Sequence, residues 1–166
     1  MPTFSMKILG IDPGIGRMGY AVIVAEGNKV QLLECGCITT EAKTPEPQRL
    51  LEIKNDLTTI IKKHKPEILC IETLYFAANA KTAMTVGQAR GVAVVMGAEA
   101  GMQIIEMTPL QVKMAITGYG KAEKSQVQKM LLTVYGIKKV PKPDDAADAA
   151  AIAWAGIGRV KYNKLK

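Results

Sequence analysis

Short apolar runs and one-sided apolar stripes alternate along the chain and set its element order. Residues 7–12 are a brief apolar run closing on an acid, the pattern of a buried strand. Across a Gly/Pro turn, the run 20–24 reads as a second strand and 30–38 as a third, with Gly27-Asn28 as the hairpin turn between them. Pro45 and Pro47 open an amphipathic helix whose apolar face carries Leu50, Leu57, Ile60 and Ile61, and the basic segment before Pro66 ends it. Residues 67–72 repeat the first pattern, an apolar run closing on an acid. A helix is predicted over 79–101, a strand over 102–107, and a short helix to about residue 116 that starts at Thr108-Pro109, a good N-cap and first-turn pair. The loop Gly118-Tyr119-Gly120 leads into a basic helix over 121–135, and an alanine-rich helix follows Pro141 and Pro143. This order predicts one α/β domain over 1–166, a mixed five-stranded sheet with helices on both faces. Residues 158–166 form its basic tail, with their order left open.

Composition narrows the class. The 166 residues are 48% hydrophobic and 22% charged, which excludes a disordered chain. No apolar run approaches the ~18 residues of a membrane span, and the first six residues lack the basic and long apolar regions of a signal peptide. Cys35, Cys37 and Cys70 contain no C-x-x-C pair and lie in strand-like runs, so buried, reduced thiols in a cytoplasmic protein are expected. The one histidine, His64, stands at a helix end beside lysines and reads as a solvated surface group.

The net charge of +7 is uneven. Residues 111–142 carry seven lysines against Glu123 alone, and 159–166 add four bases and no acid. A basic C-terminal third suits either a polyanion partner or an ordinary solvated lysine surface.

Two phosphate-binding motifs are refused. Gly14-Ile-Gly16-Arg-Met-Gly19 matches G-x-G-x-x-G, but that fingerprint needs a helix next and a β-branched run follows. Its glycines are expected to serve a turn at positive φ. Gly118 to Ser125 lacks the Gly-Lys-Ser/Thr of a Walker loop.

Four acids remain in apolar surroundings: Asp12 and Glu72 at strand ends, and Asp145 and Asp148 one turn apart on one helical face. If the first and fourth strands are neighbours and the last helix crosses their ends, the four converge. Such a cluster calls for hard divalent ions, Mg²⁺ above all, and two ions ~4 Å apart support phosphoryl chemistry. Capping roles compete for Asp12 and Asp145, less so for Glu72 and Asp148, and Asp144 reads as a first-turn acid.

The chain resembles the RuvC family of Holliday-junction resolvases over essentially its whole length. The blocks that carry this are Ile8-Leu-Gly-Ile-Asp-Pro-Gly14, Ile71-Glu72 with Tyr75-Phe76 and Asn79, Gly87-Gln-Ala-Arg-Gly91, Gln111-Val-Lys113, Gly118-Tyr-Gly120, Lys124-Ser-Gln-Val-Gln128 and Asp145-Ala-Ala-Asp148. The resemblance implies an RNase H-like fold, a homodimer, and Mg²⁺-dependent paired cutting of a four-way DNA junction, alongside a branch-migration complex. Two Mg²⁺ ions per subunit are expected, with Mn²⁺ as a substitute. It implies that Asp12, Glu72, Asp145 and Asp148 are the metal-binding catalytic acids, and that Tyr75 or Phe76 stacks on a junction base. Lys113 and Lys124 match family lysines near the scissile phosphate. Lys121, Lys124 and Gln128 are expected to share a helical face that tracks the DNA backbone. The all-round apolar helix over 79–101, with Gly87 and Gly91 four apart, suits either a central core helix or a symmetric dimer face. A nucleotide-binding switch and a junction-binding protein that does not cut are the competing classes.

Overall fold

The computed structural model describes the backbone of residues 5–74 and 80–164, with side chains up to residue 160. β1 (Ser5–Asp12), β2 (Arg17–Glu26) and β3 (Lys29–Thr39) form an antiparallel meander. α1 (Glu46–His64) leads to β4 (Ile68–Glu72) and α2 (Ala80–Glu99) to β5 (Gln103–Met107). α3 (Pro109–Thr117), α4 (Lys124–Tyr135) and α5 (Asp144–Lys164) complete the chain. The sheet runs β3-β2-β1-β4-β5, with β1, β4 and β5 parallel, so the mixed five-stranded sheet is as the sequence predicts.

Pleat alternation divides the core into two layers. Ile8, Ala21, Ile23, Ile68 and Cys70 face α3, α4 and α5. Leu9, Ile11, Val22, Leu69 and Ile71 face α1 and α2. In α1 the buried positions are Ile53, Leu57 and Ile60, while Leu50 and Ile61 pack at its margins.

The depth of α5 is set by small residues on both sides of the contact. Ala146, Ala149, Ala150 and Ala153 are fully buried. A Cβ at Gly10 would stand 2.7 Å from the Ala153 backbone nitrogen, and one at Gly19 would overlap the Asp145 backbone. The helix backbone therefore lies directly on β1 and β2, which fixes its N-terminus against the sheet.

Several expectations are corrected. Gly27 takes a left-handed φ of 57°, as its hairpin turn requires, but neither Gly14 nor Gly16 does. Gly14 is needed instead because a Cβ there would overlap the Arg17 carbonyl. α4 begins at residue 124, not 121: Gln126 Oε1 accepts the Glu123 N–H at 2.8 Å and buried Ala122 anchors the preceding turn, so Lys121 leaves the helical face of Lys124 and Gln128. His64 is not solvated; its side chain is 11% exposed and its Nε2 lies 2.8 Å from Glu34 Oε2. Of the three free thiols only Cys70 is fully buried, Cys35 and Cys37 being half-buried on β3. α5 carries the basic stretch on as helix through Lys164. Among the described residues no helix is long and apolar enough to cross a membrane.

Candidate active site

Parallel pairing joins Ile11 to Ile71, which places the next residues, Asp12 and Glu72, side by side at the carboxyl ends of β1 and β4. Alternation from Ile8 and from Ile68 turns both acids towards the α5 layer. Asp12 pairs with Gly19 on β2, and Gly19 is where the Asp145 backbone rests. Asp148 follows one helical turn on. Both conditions for convergence are met: β1 and β4 are neighbours, and α5 crosses their ends.

The acids behave as one electrostatic unit. Burial, then the charges of Glu72, Asp148 and Asp145, push the Asp12 carboxyl up to about 8. Burial and Asp148 push Glu72 up to about 7, with Lys113 acting the other way. Burial raises Asp148 as well, opposed by Lys124.

Cations occupy the rim. Arg17 Nε lies 2.9 Å from Asp145 Oδ2. Lys124 Nζ lies 3.4 Å from Asp148 and 3.3 Å from Asp144, so Asp144 serves as a first-turn partner for the rim. Glu72, Asp148, Lys113 and Lys124 line a cleft of about 250 Å³ walled by Val112 and Val127. Among the described residues no three acids are gathered as tightly as a metal cage requires.

Lys113 and Lys124 line the cleft beside Glu72 and Asp148, while Lys121 lies in the turn before α4 and outside the cleft lining. Tyr75 and Phe76 fall outside the described residues. Two arginines to which the sequence assigns no role stand beside the acids. Arg17 hides in the G-x-G-x-x-G match, although a hairpin after Asp12 must return the start of β2 to the acid. Arg90 on α2 donates from Nε to the Glu72 carbonyl at 3.3 Å and pairs with Glu106 at 2.8 Å, tying α2 to the ends of β4 and β5.

An open mixed sheet with acids at the ends of its two central parallel strands, completed by acids on a helix laid across them, is the arrangement of the RNase H-like nucleases. A family model described as crossover junction endodeoxyribonuclease RuvC matches residues 8–155, and the chain belongs to the RuvC family. The protein of that name from Alkaliphilus oremlandii is 50% identical over 148 residues, 89% of this chain and 90% of that one. Its counterpart from Finegoldia magna is 44% identical over 160 residues, 96% and 98% of the two chains. The structure of Thermus thermophilus RuvC in complex with a Holliday junction substrate aligns with a TM-score of 0.90 at 32% identity, over 95% of this chain and 96% of that one.

Membership carries with it the use of a divalent metal. The residues present fit one: the donors are all carboxylates, suited to a hard cation, and Asp12 and Glu72 carry raised pKa values that positive charge would relieve.

Proposed function

We propose that this protein is a structure-selective endonuclease that resolves four-way DNA junctions by paired phosphodiester hydrolysis, leaving 5′-phosphate and 3′-hydroxyl ends, in recombination and repair. The observation that carries this reading is the convergence of Asp12, Glu72, Asp145 and Asp148 at one sheet end in a chain of this family. The Holliday junction substrate held by the Thermus relative supports the choice of DNA.

Asp12, Glu72, Asp145 and Asp148 hold Mg²⁺ in this reading, two ions per subunit, with Mn²⁺ as a substitute. When bound, the metal supplies activation of the attacking water and charge stabilisation of the leaving oxygen. The protein's own groups do the rest. The strand acids give a fixed, desolvated floor, and the helix acids complete it from above. Lys113 and Lys124 offset negative charge at the cleft where the phosphate enters. Lys121 meets the DNA backbone from the turn before α4. One ring of Tyr75 and Phe76 stacks on a junction base, as the family resemblance implies.

Paired cuts call for two sites. The outer face of α2 leaves Met84 74% and Val95 57% exposed, and the Gly91 backbone is open. A second copy of the chain is the natural cover for such a face, and it sets two clefts on two strands. A branch-migration complex then supplies the junction, and the protein works in the cytoplasm as a single domain.

The test is cleavage of a labelled four-way junction in Mg²⁺, with several central sequences, beside linear duplex and single strands. Wild type is expected to make paired, symmetric nicks in the junction alone. Asp12→Asn is expected to bind the junction without cutting it. Cutting of every substrate would remove the junction selectivity, and tight binding without cutting in any divalent metal would leave a junction-binding protein.

A further inference from the structure

We infer that Arg17 and Arg49 form a second phosphate grip on the β2–α1 side of the cleft, and that its ligand is the sugar-phosphate backbone of the strand laid across the acids. The inference rests on the nuclease reading above and extends it to a part of the chain that the charge distribution marks as neutral or acidic.

The two arginines come from opposite layers and meet at one turn. Arg17 opens β2 on the α5 face, and Arg49 stands in the first turn of α1 on the other face. Between them runs the turn 13–16, which leaves β1 directly after Asp12. Arg49 reaches this turn so closely that a Cβ at Gly16 would lie 3.3 Å from its guanidinium.

Each guanidinium is anchored from its inner nitrogen. Arg49 Nε donates to Thr40 Oγ1 at 2.8 Å, and that hydroxyl donates onward to the Ile15 carbonyl at 2.6 Å. The Thr40 N–H closes the same loop on the Gly16 carbonyl at 3.1 Å. Arg17 Nε is held by Asp145, and the Cys37 thiol touches the same side chain. An arginine fixed through Nε still presents terminal amino groups in a planar fork, the geometry that suits a phosphate. The Arg17 side chain is 55% exposed, and no carboxylate among the described residues pairs with Arg49.

Electrostatics give this placement a purpose. The four acids repel an incoming phosphate, and Lys113 and Lys124 compensate from the α3–α4 wall only. A strand crossing the cleft meets that repulsion on both sides, and Arg17 and Arg49 are the cations on the other. Glycines at 14 and 16 keep the turn low, so the DNA backbone can come close to both forks.

The test is junction binding as a function of salt, without divalent metal, for Arg49→Gln, Arg17→Gln, the pair, and Arg49→Lys. Each glutamine variant is expected to weaken binding about threefold and to make the slope of log K against log salt shallower by about one, with about tenfold and about two for the pair. Arg49 touches none of the four acids, so its effect is separate from the metal site. Arg49→Lys, which keeps the charge and loses the fork, is expected to retain the wild-type slope. An Arg49→Gln variant with unchanged affinity and slope overturns the grip. So does Arg49→Lys falling as far as Arg49→Gln, because the residue is then only a staple for the turn. A wild type that ignores the junction overturns the resolvase reading and the grip with it.

Discussion

The two acids on strands and the two on α5 reach the same end of the sheet by different physical routes. Asp12 and Glu72 are placed by the pleat: their register is shared with the ladder, and their side chains sink towards the α5 layer. Asp145 and Asp148 are placed by how deeply a helix can lie on glycines, and they stay 29% and 39% exposed with a cation at each. Burial and like charges raise both strand acids, whereas each helix acid already has a cation within ion-pair distance. A strand half without an ion pair among the described residues thus faces a helix half that has one at each acid.

The largest expected consequence concerns the strand half. Glu72→Gln removes a carboxylate that no other side chain can replace, and cleavage is expected to fall on the order of 10²–10³-fold with junction affinity retained. Single-turnover cleavage beside a binding titration checks it. A loss of binding instead would mean that Glu72 holds the fold around the DNA rather than the chemistry.

The pH dependence of stability comes next. Asp12 and Glu72 have folded-state values of about 8 and about 7 against ordinary values of 3.8 and 4.5, so the folded protein holds protons that the unfolded chain releases. Without metal, their ionisation therefore costs nothing below about pH 4, and stability falls as pH rises until both have titrated. Glu34 works the other way: hydrogen bonds from Lys63 and His64 hold it down at about 2, so its contribution is present above 4.5 and fades in acid. Melting temperatures in chelator are expected to decline from pH 5 to 8, and Asp12→Asn should flatten the decline. Added Mg²⁺ should raise the curve most at the alkaline end. A flat wild-type curve would show the strand acids to be solvated after all.

The legibility of the sequence divides along the same line. Apolar runs closing on Asp12 and Glu72 are strand signals with an acid at a fixed parity, so once β1 and β4 are neighbours the rest follows from alternation. The i, i+3 spacing of Asp145 and Asp148 gives a shared face but not its height over the sheet. That height depends on Gly10 and Gly19 meeting an alanine-rich helix, a contact between segments over a hundred residues apart. Lys121 reads as helical because basic composition continues through the turn, whereas the helix start is decided by Glu123 and Gln126. His64 reads as solvated because its partner Glu34 lies on another element, 30 residues away in sequence. Arg17 and Arg49 were invisible for the same reason: single cations in an otherwise neutral region acquire meaning only when a turn gathers them.

The smallest effect is the one that sharpens the contrast most. Asp145→Asn in metal-free protein breaks a half-exposed ion pair with Arg17, and such pairs contribute ~0–1 kcal/mol. Stability is therefore expected to fall slightly or stay level, whereas Asp12→Asn under the same conditions removes a costly buried charge and raises it. Stabilisation by Asp12→Asn without stabilisation by Asp145→Asn, read from chemical denaturation at pH 8, is what the strand–helix division demands. Equal stabilisation by both substitutions would mean that Arg17 does not hold Asp145 in solution. The four carboxylates would then form one uniformly strained group, and the second wall of the cleft would lose its anchor.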